Sequence, residues 1–350
     1  MKPTESESTA DTRATDGGSR VEEFSFETTT AEVEVTSGER LRTFYEEFIY
    51  KPGLVAWDDS RTRVGGIVLL MYILVGTVGV WFYRAPTSNQ APRSLAPFQD
   101  ASAILGSTQS GKDVLAMAIH ATPPVLLSVA AGGVFATAVA VIVGTIAGYR
   151  GGATDTLLTS FSDIAMTIPG LPLIMVLAVV FRPTNPLLLG VLITINYWAG
   201  LARSIRSQVL TLRENSYIEA SRAMGVSRAR ILYKDVIPNL MPYVLVNFAN
   251  AARYVIFTAV GLYYLGILPT SVANWGIQLN DAYKQAGALV GTGALYQLVV
   301  PMVAVMGLAL ALILLAQGLD RVFNPRVRTR LAGESRSTAD DGDDEGGVTN

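Results

Sequence analysis

Gly106-Ser107-Thr108-Gln109-Ser110-Gly111-Lys112 has the spacing of a loop that cradles nucleotide phosphates on backbone amides. The eighth position decides against that chemistry. It calls for a Ser or Thr hydroxyl on magnesium, but Asp113 stands there, and a carboxylate would repel the phosphates. A Gly-containing turn before an amphipathic helix from Asp113 to His120 fits these residues better. Other reactive groups are scarce. With no cysteine and one histidine, His120, the chain cannot build disulfides, thiolate metal sites, cysteine nucleophiles or His-rich metal centres. A net charge of −2 offers no basic face for nucleic acid. Three ionisable residues, Asp163, Arg203 and Arg253, fall within or beside apolar runs, where each would cost about 2.5–3.5 kcal/mol at the centre of a bilayer. Two arrangements are open: Asp163 paired with an Arg inside a bundle, or Arg203 at the interface with Asp163 near a helix end. No catalytic, cofactor-binding or metal-ligating set emerges.

The apolar runs define the elements. Apolar residues are 50% of the chain, charged residues 16% and mean hydropathy is +0.36, which excludes an all-soluble protein. A bilayer core takes about 20 apolar residues per helix. Six runs qualify: 64–83, 125–149, 157–181, 187–202, 242–268 and 296–317, the fourth being the shortest. The class is an all-α membrane protein. Gly132, Gly133, Gly144 and Gly148 give the second run small faces that permit close helix approach. Pro169 and Pro172 interrupt the third, which suits a helix lining a cavity or a simple kink.

Charge sets the orientation. Arg203, Arg206, Arg213, Arg222, Arg228, Arg230 and Lys234 lie between the fourth and fifth runs, whereas the 269–295 loop has only Lys284. Basic residues also flank the first and last runs, so both termini and the 203–242 loop are expected to be cytoplasmic in a multi-pass plasma-membrane protein. Six crossings give the same parity. Residues 1–44 form an acidic tail expected to be disordered, 45–124 the first span with an external loop, 125–320 a five-helix core, and 321–350 a cytoplasmic tail ending in the acidic run Asp340 to Glu345.

Within the 203–242 loop, Ser216 and Glu219 read as a capping box. Tyr217, Ala220, Ser221 and Met224 follow at helical spacing as one apolar face, and Gly225 is a left-handed stop. Ser227 can cap a second helix, with Val226 and Ile231 as its hydrophobic staple and Pro238 as its end. Two readings stay open. One is an ordinary hairpin in which Glu219 is only a cap and the basic residues hold lipid head groups. The other is a docking surface that passes rigid-body motion from a partner.

Glu219-Ala220-Ser221, Gly225 and Ile237-Pro238 resemble the EAA loop of ABC-importer permeases, with Ser221 in place of the second Ala. Leu105 to Leu115 resembles the LGTDxxGRDVLSR segment of the dipeptide/oligopeptide/nickel permease subfamily, C-type subunit, departing at Ser107, Thr108 and Lys112. Gly148-Tyr149-Arg150-Gly151-Gly152, Asn274-Trp275-Gly276 and Asn324-Pro325-Arg326 are similar to further segments of that subfamily in the same order, over roughly residues 45–330. The resemblance implies about six transmembrane helices in an ABC type I importer permease (MetI-like) fold. It also implies a homologous B-type permease partner, two ATP-binding cassette ATPase subunits that bind the ATP, and an extracytoplasmic substrate-binding protein, all within membrane lipid. Peptides are the implied substrate, with nickel or an oligosaccharide as alternatives. The chain itself would couple motion rather than catalyse. A secondary transporter or channel would carry more ionisable residues in mid-span.

Overall fold

The computed structural model describes residues 59–284, 287–289 and 292–323. The expected tail at 1–44 and all of 324–350, including Asn324-Pro325-Arg326 and the acidic run, lie outside the described residues. Among those described, the chain is helical with one isolated β-bridge, Ser107 with Asp113, and no strand.

Four helices are long and apolar enough to cross a membrane: α1 (Ser60–Phe82), α2 (Val114–Arg150), α8 (Arg228–Tyr264) and α10 (Leu295–Phe323, its span ending at Asp320). Counting each of two bent pairs as one span gives six. α3 (Gly152–Thr167) and α4 (Gly170–Phe181) meet at 80°, and α5 (Pro186–Ile193) and α6 (Tyr197–Leu212) at 59°. Two short helices, α7 (Ser216–Ala223) and α9 (Trp275–Lys284), sit in the connections.

Several boundaries differ from the sequence expectation, each for a local reason. The helix beginning at Asp113 does not stop at His120; it runs through Pro123 and Pro124 to Arg150, so the 124/125 domain boundary falls inside one element. Asp113 caps it by accepting from the Leu115 amide at 2.9 Å. Against the proline pair, α1 opens into a π-turn at Val75–Gly79, and a Cβ on Gly76 would lie 3.2 Å from Thr122. In the third span, Pro169 ends the run as the residue before α4, and Pro172 occupies the first turn of α4, where no intrahelical donor is needed. The result is a sharp break rather than a kink. Asn196 bridges the two bends, its Nδ2 donating to the Ile168 carbonyl at 3.3 Å.

α2 is the axis of the bundle. A Cβ on Gly190 would lie 2.1 Å from the Ser128 carbonyl oxygen, and one on Gly144 2.4 Å from that of Ala202, so α5 and α6 approach α2 backbone to backbone. Thr194 Oγ1 donates to the Gly132 carbonyl at 3.2 Å across the same seam. Two apolar clusters result. One gathers Val125, Ile193, Ile256, Trp275 and Leu308; the other gathers Trp198, Ile205, Ile218, Ile231 and Leu240. Large apolar side chains also face outward along the spans, Ile67, Leu70, Val134, Ile142 and Phe161 among them, as a lipid-facing surface requires.

Candidate functional site

The hairpin between α6 and α8 is the site built from the 203–242 loop. α7 starts one residue earlier than a Ser216 cap would have it. Asn215 is its N-cap residue, its carbonyl accepts the amides of Ile218 and Glu219 at 3.0 and 3.2 Å, and no side chain caps the helix. The capping box is therefore not formed, and the exposed Glu219 carboxylate is not spent on the helix start. At the other end Gly225 takes φ +76°, with its amide bonded to the Arg222 carbonyl and the Val226 amide to the Ser221 carbonyl. That pair of bonds is a Schellman turn. Ser227 precedes the next helix, but its side chain makes no cap bond.

Pro238 does not end the second helix. A π-turn at Leu232–Val236 widens the coil, Ile237 and Pro238 restart it as α-helix, and α8 continues unbroken to Tyr264. Pro238 is the second residue of the α-helical stretch after the π-turn, where the hydrogen-bond register changes and its missing amide is accommodated. Asn239 Nδ2 binds the Asp235 carbonyl at 2.6 Å and reaches the Tyr217 hydroxyl at 3.4 Å, tying α7 to α8.

Ile218 and Ile231 anchor the hairpin with 0% exposure each. Sequence reasoning passed over Ile218, although its place one position from the exposed Tyr217 and Glu219 would have marked it as the inward side of the helix. On the outward side Ala220 is exposed, Ser221 partly so, and Tyr217, Met224 and Tyr233 are exposed, the last two at 74%. The exposed surface of the hairpin thus carries both apolar side chains and the Glu219 carboxylate, on a turn closed at Gly225.

Beneath the hairpin two ion pairs join α3 to α6. Asp155 holds Arg206 in a bidentate pair at 2.5 and 2.6 Å. Asp163 Oδ1 lies 3.4 Å from Arg203 Nη2, an ion pair without hydrogen-bond alignment. Arg253 is apart from both; it lines a 380 Å³ cleft between α8 and α10 with Asn250, Gln317 and Asp320. Reversing both charges, D163R with R203D, should restore whatever transport either single reversal loses. Each single change should cost little in stability, because the pair is about half exposed. Failure of the double reversal to restore uptake would discard the pair as a functional unit.

At the opposite end of the bundle the 106–113 loop is packed shut. Ser107 N and Thr108 N donate to Leu95 and Lys112 carbonyls, Gly111 N donates to Thr108, and Lys112 N to the Thr108 hydroxyl. The Ser107 carbonyl accepts from Tyr296 and Gln297 at 2.6 and 3.1 Å, and Ser107 Oγ donates to the Pro92 carbonyl. These amides are not turned toward a ligand. Burial pushes the Asp113 carboxyl above the usual carboxylate range, partly offset by the Leu115 and Ala116 amides. His120 is likewise spent locally, Nε2 lying 3.0 Å from the Tyr83 carbonyl.

The family of binding-protein-dependent transport system inner membrane components matches residues 140–329, from the middle of α2 through the hairpin to α10. This chain belongs to that family. The inner membrane component is 32% identical over 247 residues to the oligopeptide transport system permease protein OppC of Bacillus subtilis (strain 168), covering 67% of this chain and 80% of that one. It is 29% identical over 244 residues to OppC of Haemophilus influenzae, covering 67% and 78%. It is 25% identical over 281 residues to the dipeptide transport system permease protein DppC of Bacillus subtilis (strain 168), covering 78% and 85%. The component is accordingly an ABC-importer permease, a multi-pass membrane protein in a family of transport permeases rather than of enzymes.

Proposed function

We propose that this permease is one half of the translocation pathway of an ATP-driven peptide importer, and that the 216–231 hairpin is where an ATPase subunit seats. The similarity to oligopeptide and dipeptide permeases supports the substrate class. The observation that carries the coupling reading is the hairpin itself. Tyr217, Ala220, Met224 and Tyr233 are exposed on the hairpin, as is Glu219, while Ile218 and Ile231 fasten the same turn into the bundle core. Force applied to such a lever reaches α6 and α8 without first bending the lever. The arginine-rich composition of this end supports a cytoplasmic hairpin and cytoplasmic termini. ATP is bound by the two ATPase partners, a homologous B-type permease completes the pathway, and a binding protein delivers substrate from outside. The backbone-close glycine seams of α2 and the broken spans α3–α4 and α5–α6 suit two alternative packings of rigid parts.

The test is reconstitution in proteoliposomes. With the second permease, both ATPases and a peptide-loaded binding protein, uptake should require ATP, and this chain alone should show none. Flux through the chain alone would refute the coupling role, and delivery of nickel or a sugar in preference to peptide would refute the substrate class.

A further inference from the structure

Behind the hairpin lies a cavity of about 470 Å³, walled by the end of α2, the end of α6 and the inner side of the α7–α8 turn. Its ionisable lining is four arginines, Arg150, Arg213, Arg222 and Arg228, with Tyr149 between them and no lysine or acid. None of the four is in an ion pair with a described carboxylate. Asp155 is within electrostatic range of Arg213, but its ion pair is with Arg206. Two of the arginines are held in place. Arg213 Nη1 donates to the Gly148 carbonyl at 3.1 Å, and Arg222 lies over the Tyr149 ring, 5.0 Å from its centre, with Nε reaching the Tyr149 hydroxyl at 3.4 Å. Cation–π and carbonyl contacts orient these guanidiniums but do not neutralise them.

We infer that this cavity is a phosphate-binding site that ties the hairpin to the bundle. Arg150, Arg222 and Arg228 are exposed, so like charges on the two walls repel only weakly through water, and an anion between them turns that repulsion into attraction. Arg150 and Arg213 belong to the bundle wall, Arg222 and Arg228 to the hairpin wall, so one multi-oxygen anion can engage both. Arginine forks match the oxygens of a phosphate group pairwise, and the absence of lysine points to that geometry rather than to a diffuse cationic surface. At about 30 Å³ per water the space holds about fifteen waters, ample for a phosphoryl group and its hydration. The 37 residues of α2 span about 55 Å, longer than a bilayer with its headgroups, so the Arg150 end reaches headgroup level or beyond. Both a phospholipid headgroup and a free phosphate can reach it. The inference stands whether or not the hairpin receives an ATPase.

The experiment uses the purified full chain and reads amide hydrogen exchange over residues 216–231. In detergent, sodium phosphate is compared with sodium chloride at equal ionic strength; in nanodiscs, phosphatidylglycerol is compared with phosphatidylcholine. Protection should rise about threefold at a phosphate concentration of twice Kd, following 1 + [L]/Kd. R230Q, outside the cavity lining, should respond as the wild type does. R222Q/R228Q should not respond, and R150Q, which leaves the hairpin sequence intact, should respond weakly. A response to phosphatidylglycerol alone assigns the source to the bilayer, and a response to both assigns it to phosphate in general. Equal protection by chloride, a wild-type response in R222Q/R228Q, silence in both arms, or protection only when ATPase subunits bind would each overturn the site.

Discussion

Replacing Gly225 with Val should uncouple ATP hydrolysis from uptake while leaving the spans inserted and folded. At φ +76° the backbone is in the left-handed region, and a β-carbon there would meet nothing within 4 Å. The penalty is therefore conformational rather than steric crowding, about 1–2 kcal/mol for an L residue. That corresponds to a factor of about 5–30 in the population of the closed turn. The turn is the joint between α7 and α8, so relaxing it displaces Met224 and Tyr217 relative to Ile231, which stays anchored. Uptake should fall by about that factor in proteoliposomes carrying all partners, with ATPase activity retained and the thermal unfolding of the permease little changed. Glu219→Lys should give the same uncoupling by another route, inverting the charge on the exposed patch without touching the turn. Wild-type uptake in both variants would mean the hairpin is not the coupling element.

Replacing Gly190 with Val should damage the bundle itself. The added β-carbon would fall 2.1 Å from the Ser128 carbonyl oxygen and 2.9 Å from the Gly132 amide nitrogen, both backbone atoms of α2. No rotamer change can relieve that contact, so α5 must move away from α2 and the Thr194 to Gly132 hydrogen bond goes with it. A cost at the top of the overpacking range, about 3 kcal/mol, is expected. Thermal unfolding in detergent, with the exposure of α5 to a water-soluble label, measures it. Gly261→Ala is the matched control, since no atom lies within 4 Å of its added β-carbon. It should be neutral, or stabilising by about 0.5–1 kcal/mol in a helix interior. A Gly190 variant that melts like the wild type would contradict the close α2–α5 packing.

Composition and periodicity alone established that the chain is a helical membrane protein of about six spans, because a bilayer imposes length and polarity on every crossing segment regardless of its neighbours. The hairpin and its Gly225 stop were legible for a similar reason: a left-handed residue is a local demand that few side chains meet. Only the tertiary structure decided where helices continue through a proline. Pro123 and Pro124 lie within α2 and Pro238 lies inside α8 just after its π-turn, while Pro169 breaks its span by 80°. The same residue type gives three outcomes, and the surroundings differ with them: α1 packs closely on Thr122 and Pro123 at Gly76, while a π-turn immediately precedes Pro238. Pairings between distant positions were also left to the tertiary structure: an Asp163–Arg pair was one of two open arrangements, and its partner was not fixed. Asp155 with Arg206, Asp163 with Arg203, and the gathering of Arg150, Arg213, Arg222 and Arg228 around one cavity each depend on how α2, α3 and α6 cross, and no local spacing encodes that crossing.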